Sequence, residues 1–255
     1  RAFTFLVSNW VDAEKTSVQD DDDSMCWAAS AANVLVYTGW SDIYSQDADT
    51  VFDYYQEHWA NEGGSMVYAW EWWLNGEQRH WGKETNGALT VSGGGDFYPG
   101  YRFMDYFYSD TDTTTVMASA ALYLTSEYGT SLGIWGYDSS LDREWGHALT
   151  IWGYDLDDSG SYTGIWVTDS DDYQAALVYY VLSFSDGQYW LLDYGMETTS
   201  WYLFGVYALD QMPVPLAGSG LMLGMGLLVL VGRLRTGTGR PATAADAPGP
   251  PPQRP

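Results

Sequence analysis

The feature that most constrains this chain is a change of texture at Ser131. Before it lie runs of small and aromatic residues with helical character. After it come SLGIWGYD, HALTIWGYD, TGIWVTDSD, ALVYYVLSF and YWLLDYG. These are short, rich in aromatic and β-branched residues, and separated by Gly, Asp and Ser, which is the pattern of antiparallel strands joined by turns. In the first half, residues 26–38 (CWAASAANVLVYT) read as a helix with Gly39 as its stop and Ser24 or Asp23 as its cap. Residues 50–60, 66–74 and 113–128 also read as helices, and the glycine-rich stretch 84–100 as a loop. The layout is α+β, a helical N-terminal half followed by an antiparallel sheet. No repeat of solenoid or propeller period is present.

The chain has 255 residues, enough for one domain of residues 1–210 with an appendage. It carries 14 Trp and 21 Tyr in a 46% hydrophobic composition, which supplies a large core. Net charge is -24. Residues 1–210 hold 33 acidic and 6 basic side chains, and the remainder one Asp and four Arg. A body this acidic repels phosphate backbones and anionic headgroups, which argues against nucleic acid and membrane surfaces as partners.

Residues 211–255 form a separate object. No charge occurs from Gln211 to Gly232, and PLAGSGLMLGMGLLVLVG is nearly all apolar. With a rise of ~1.5 Å per residue, ~20 residues cross a ~30 Å hydrocarbon core. Arg233 and Arg235 follow at once and mark a cytoplasmic end. Residues 211–235 are therefore expected to contact a membrane, with a buried core helix as the alternative. Residues 236–255, rich in Pro, Gly and Ala, are expected to be disordered. The sequence opens on Arg1 without a visible export leader, so a processed or truncated start is expected.

Cys26 is the one cysteine, which excludes an internal disulfide and multi-thiolate zinc. A lone thiol is by default a small buried hydrophobe. Cys26, however, falls where a helix begins, and helix N-termini favour thiolate. Asp20 to Asp23 oppose it by like charge, so a cationic partner is needed. Of the three histidines, His58 and His80 lie in Trp-rich segments and read as structural. His147 opens the strand HALTIWGYD, and the turn DLDDSGS centres near Asp158. Symmetric pairing about that centre sets His147 opposite Asp169, an arrangement that holds a histidine in one tautomer and stabilises its cation. Asp171 lies two residues on, on the same strand face, to contact the ring or brace the loop. The alternative is an ordinary strand histidine. DLDDSG also resembles the start of a calcium loop, but the twelfth position is Trp166 instead of Glu, and a polar turn is the better reading. Asp20–Asp23 reads as a solvated loop, with a weak cation site as the alternative. No metal or cofactor is expected.

Three ordered blocks resemble the IdeS/Mac family of secreted cysteine endopeptidases. They are Trp10-Val-Asp12-Ala-Glu-Lys15-Thr16, then Asp-Ser-Met-Cys26-Trp-Ala-Ala-Ser-Ala-Ala-Asn33, then Gly-His147-Ala-Leu-Thr-Ile-Trp-Gly-Tyr-Asp with Ile-Trp-Val-Thr-Asp169-Ser-Asp171. The spacings of 22 and 24 residues from His147 to the two aspartates match. The resemblance spans roughly residues 8–210. It implies a papain-like fold with Cys26 as nucleophile, His147 as general base and acid, Asp169 orienting His147, and Asp171 as supporting acid. It further implies Lys15 as oxyanion donor beside the Cys26 amide, although the stretch from Lys15 to Cys26 is one residue longer here. The segments between the blocks are shorter, more aromatic and more acidic than in that family. Peptide-bond hydrolysis of a protein or peptide substrate is the activity carried over; antibody cleavage is not. Pro213-Val-Pro215-Leu, the apolar span and the arginines resemble PEP-CTERM-type sorting signals, which implies export, exosortase processing and a secreted or surface location. A plain transmembrane anchor is the alternative. Two other activities stay open: acyl transfer of the transglutaminase kind, and a surface binding module on an inactive peptidase scaffold.

Overall fold

The computed structural model describes residues 2–16, 22–76, 93–138, 142–172, 174–195 and 199–213. The expectations for Asp20, Asp21, His80, loop residues 84–92 and residues 214–255 lie outside them. Among the described residues, no helix is long and apolar enough to cross a membrane.

The chain begins with β1 (Phe3–Leu6), followed by an irregular arm that reaches Thr16. Three helices come next: α1 (Cys26–Thr38), α2 (Ala48–His58) and α3 (Met66–Asn75). A short strand β2 (Phe107–Asp110) and helix α4 (Val116–Thr125) lead into β3 (Gly129–Asp138), β4 (Arg143–Leu156), β5 (Tyr162–Thr168), β6 (Val178–Ser185), β7 (Gln188–Leu191) and β8 (Thr199–Leu209).

Sequence and structure agree on why the helices form where they do. Gly39 terminates α1 in the left-handed conformation, φ 79°. Asp47 caps α2 by accepting from the Thr50 amide, and Ser65 does the same for α3 at Val67. α1 departs from expectation at its start. Neither Ser24 nor Asp23 caps it; Met25 occupies that position with no side-chain hydrogen bond. α1 is mostly apolar because nearly all of it is packed, its buried Ser30 and Asn33 being the polar exceptions. Ala28, Ala29, Ala31 and Ala32 are fully enclosed, and their small side chains admit α2 and α3 on one face and β3 and β4 on another.

The strands correct the expected architecture. Going round the sheet, β4 pairs with β3, β3 with β8, β8 with β7, β7 with β6, β6 with β5, and β5 again with β4, all antiparallel. The result is a closed six-stranded barrel with four helices, not the papain-like helical half beside a sheet that the resemblance implied. Closure needs bends. Two of the three irregularities in these ladders fall at Gly133/Ile134 and between Ile151 and Gly153, where an extra residue kinks a strand. Both involve glycines under close neighbours: a Cβ at Gly133 would lie 2.5 Å from the Phe204 ring. β1 adds to β4 and β2 to β8 outside the ring. β1, β2 and β8 carry no strand signal in the reading above.

Two cores result. One, with Leu132, Ile134, Leu149, Ile151, Ile165, Val167 and Leu203, joins the strands to α4. The other packs Trp27, Trp40, Trp70, Trp72 and Trp73 between α1, α2 and α3, and meets the sheet at Ala148, Tyr207 and Leu209.

Candidate functional site

A buried polar seam locks α1 to the barrel. Ser30 and Asn33 lie four and seven residues after Cys26, on the same helical face. The Ser30 hydroxyl contacts the Ser131 hydroxyl at 2.7 Å and receives a bond from Thr150 Oγ1 at 3.0 Å. Asn33 Nδ2 donates to Thr150 Oγ1 at 3.1 Å and Thr168 Oγ1 at 3.3 Å. Trp152 Nε1 also donates to Thr168 Oγ1, at 3.0 Å. The helix that carries Cys26 is thus bonded to the two strands that lead to His147 and Asp169.

His147 sits within β4, four residues inside its start, and pairs across the ladder with Ile134. The expected pairing opposite Asp169 does not occur. The β4–β5 register runs Thr150↔Thr168, shifted by two from symmetry about Asp158, and the ladder ends there. Asp169 lies just past β5, and the chain turns on it through Asp172 N–H to its carbonyl at 3.1 Å. The turn brings the two side chains together all the same: His147 Nε2 lies 2.9 Å from Asp169 Oδ1. Asp171 is on this turn, not on a strand face, and its Oδ2 lies 3.7 Å from His147 Nδ1.

Cys26 is half-buried at the uncapped end of α1. The charge of His147 acts on its thiol, and the thiolate in turn on the imidazole. With Nε2 committed to Asp169, Nδ1 is the ring nitrogen left for the thiol. Burial pushes the Cys26 thiol up, but the charges of His147 and Lys15 and the His147 hydrogen bond hold it below the ordinary range. Burial pulls His147 down, and Cys26 and Asp169 more than reverse this, holding the imidazolium well above its usual range. Asp169 is almost fully enclosed. Burial pushes its carboxyl up, yet His147, the Asp171 amide (3.1 Å) and the Tyr180 hydroxyl (3.1 Å, to Oδ2) keep it below normal.

Lys15 comes from the arm after β1. Its ammonium is buried, pairs with the Asp171 carboxylate and donates to the Asp23 carbonyl at 2.9 Å. Burial lowers its pKa, and Asp171 and Cys26 raise it beyond that loss, so it stays charged. Asp22 anchors the arm. Expected in a solvated loop, it is fully buried and accepts from the Thr16 amide at 2.8 Å and Gln56 Nε2 at 2.8 Å. Those donors occupy Asp22; the cation-site alternative for the whole run includes Asp20 and Asp21, which lie outside the described residues.

The structure therefore brings Cys26, His147, Asp169, Asp171 and Lys15 into one cluster. It also adds two residues the sequence reading missed. Tyr180 on β6 holds Asp169, and Tyr194 packs on the His147 ring with centroids 6.0 Å apart. Strand alternation puts either Tyr179 or Tyr180 on the site's face, but nothing local says which or what it meets. His58 is elsewhere, its Nδ1 on the Tyr54 carbonyl at 2.9 Å and its ring near Trp72. Asp157 Oδ1 accepts from the Ser159 and Ser161 amides at 2.8 and 3.0 Å, as in a polar turn.

His147, Asp169 and Asp171 offer ligand atoms within 4.8 Å of one another, a spacing a metal ion could use. The carboxylates are already engaged, Asp169 by His147, Tyr180 and an amide, and Asp171 by Lys15. A cation would have to displace the Lys15 ammonium. The arrangement suits acyl chemistry better: a thiol with a depressed pKa, an oriented imidazole, and cationic and amide donors beside it. Compared with known proteins, the chain matches no family model and no curated protein.

Proposed function

We propose that this protein is a cysteine endopeptidase that hydrolyses peptide bonds through a thioester, with Cys26, His147 and Asp169 as its triad. The observation that carries the reading is the relay itself: Asp169 on Nε2 of a buried imidazole, and a thiol whose pKa that imidazole lowers. The three motif blocks that resemble the IdeS/Mac endopeptidases contain these same residues. The Cys26 thiolate attacks the scissile carbonyl. The resulting oxyanion is met by the Cys26 amide, which at a helix start has no carbonyl one turn back, and by Lys15. An ammonium has three N–H donors; Asp171 and Asp23 take two, leaving one for the oxyanion. Such a donor contributes ~3 kcal/mol in a comparable case. His147 protonates the leaving amine as the C–N bond breaks. It then removes a proton from water, which attacks the thioester and restores the thiol. Asp171 acts through Lys15, holding the ammonium over the site. The apolar span and arginines of the C-terminal segment support a secreted or surface-held protein.

The test is digestion of a proteome-derived peptide library by the protein and by Cys26→Ala. Cleavage that disappears with iodoacetamide and is absent from Cys26→Ala is expected, a loss of at least about 1,000-fold. Cleavage that persists in Cys26→Ala sinks the assignment.

A further inference from the structure

A cavity of about 480 Å³ opens beside the triad, lined by Trp190, Leu191, Asp193, Tyr194 and Thr199 with their neighbours. Cys26 does not line it. Tyr194 connects the two, since the same ring that walls the cavity packs on His147. Tyr194 is itself wedged edge-on against Tyr180 at 4.9 Å and Trp201 at 5.1 Å, so this wall is stiff. Tyr194 is the residue that the cavity and the imidazole share.

The chemistry of the lining is specific. Among the described residues lining it, Asp193 carries the one formal charge and none is basic. Its carboxylate is held in place because Oδ1 accepts the Val181 amide at 2.9 Å. The residue before Val181 is Tyr180, which holds Asp169. Consecutive residues of β6 therefore position the triad carboxylate and the cavity carboxylate. Trp190 is set against Tyr202 with centroids 5.5 Å apart. An aromatic wall with a fixed carboxylate suits a long cationic side chain, whose stem lies on the rings while its head meets the carboxylate. The volume falls in the ~300–1,000 Å³ range of ligand clefts, enough for one such side chain with flanking backbone. We propose that this cavity takes a lysine or arginine side chain of the peptide substrate. The inference rests on the endopeptidase reading for its orientation, and its test separates the two.

The probes are alanine-based octapeptides, blocked at both ends, in which one lysine walks along the chain. A matched set carries norleucine in place of lysine. Binding to the full-length Cys26→Ala protein is measured by calorimetry, and kcat/KM with the intact protein by mass spectrometry. At one position, lysine is expected to bind at least 10-fold tighter than norleucine. Asp193→Asn, which keeps an acceptor for Val181, should bring the two within about 2-fold. Asp53→Asn removes the same charge from the exposed face of α2 and should change nothing; this sets apart general attraction to an acidic protein. Equal binding of lysine and norleucine at every position overturns the cavity assignment, whether or not any variant folds. Lysine selectivity that survives Asp193→Asn also overturns it. Selective binding without cleavage by the intact protein leaves the cavity standing and removes the endopeptidase reading. Cleavage without lysine preference does the reverse.

Discussion

At the scale of single residues, Cys26 depends on two cations in an otherwise acidic protein. Burial works against its thiolate, and His147 and Lys15 together overcome it. The sign of the pH effect follows. A thiol whose pKa is lowered stays thiolate below the ordinary value of ~8.5, and an imidazole whose pKa is raised stays cationic above ~6.5. The ion pair therefore persists between the two shifted values, giving way to the thiol at lower pH and to neutral imidazole at higher pH. Alkylation of Cys26 by iodoacetamide, followed by mass spectrometry, is expected to remain rapid well below pH 8. In His147→Ala the burial cost is no longer offset by the imidazolium, and the inflection should move up by at least one pH unit. An unchanged inflection would remove His147 from the relay. The identities of Cys26, His147 and Asp169 were legible from residue type and spacing. Tyr180 was not, because its role depends on which of two adjacent tyrosines meets a carboxylate from another strand.

At the scale of elements, the placement of α1 decides whether those residues meet. Its Ser30 and Asn33 bond to Thr150 and Thr168, next to the site. Asn33→Ala removes the donor to Thr150 Oγ1 and leaves Thr168 Oγ1 with Trp152 alone, and is expected to cost about 1–3 kcal/mol, read by urea denaturation. Cys26 alkylation should slow in the same variant, because the helix start shifts relative to His147. Stability loss with unchanged alkylation would make the seam structural alone. The sequence reading located α1, α2, α3 and α4 to within a few residues, since caps, glycine stops and side-chain periodicity are local signals. It missed β1 and β2, which are four residues each, and also β8. It placed His147 opposite Asp169 by symmetry about Asp158, whereas the hairpin centres on Ser159, with Leu156 paired to Tyr162, and a turn after β5 restores the contact.

At the scale of the whole molecule, the arm of residues 7–16 stores a pH-dependent cost. The carboxyl oxygens of Asp12 and Glu14 are buried together on this arm. Burial, then the neighbouring Glu14, pushes Asp12 up to about 9, so at neutral pH it keeps its proton and donates to Glu14. A carboxyl whose pKa is raised on folding favours the native state most at pH below its unfolded value of ~3.9. That contribution is lost progressively as pH rises towards 9. Asp12→Asn keeps a donor and cannot ionise. It is expected to melt at least about 2–4 °C higher at pH 8.5, equivalent to about 1 kcal/mol, with a smaller difference at pH 5. A gain that does not grow with pH would show that Asp12 is ionised in the native arm. Because Lys15 closes this arm over the site, the same measurement reports on how firmly the ammonium is held.

The amino-acid sequence by itself determined the helices, most of the strands, and the reactive residue types with their spacing, because each depends on a few neighbouring side chains. Only the tertiary structure decided that the sheet closes into a barrel. Closure turns on β4 meeting both β3 and β5 and on bends at glycines beneath aromatic rings, which are contacts between distant segments. The environments of the site were decided in the same way. Burial, Tyr180 and Lys15 set the charge states of Asp169 and Cys26, and desolvation depends on everything packed around a group.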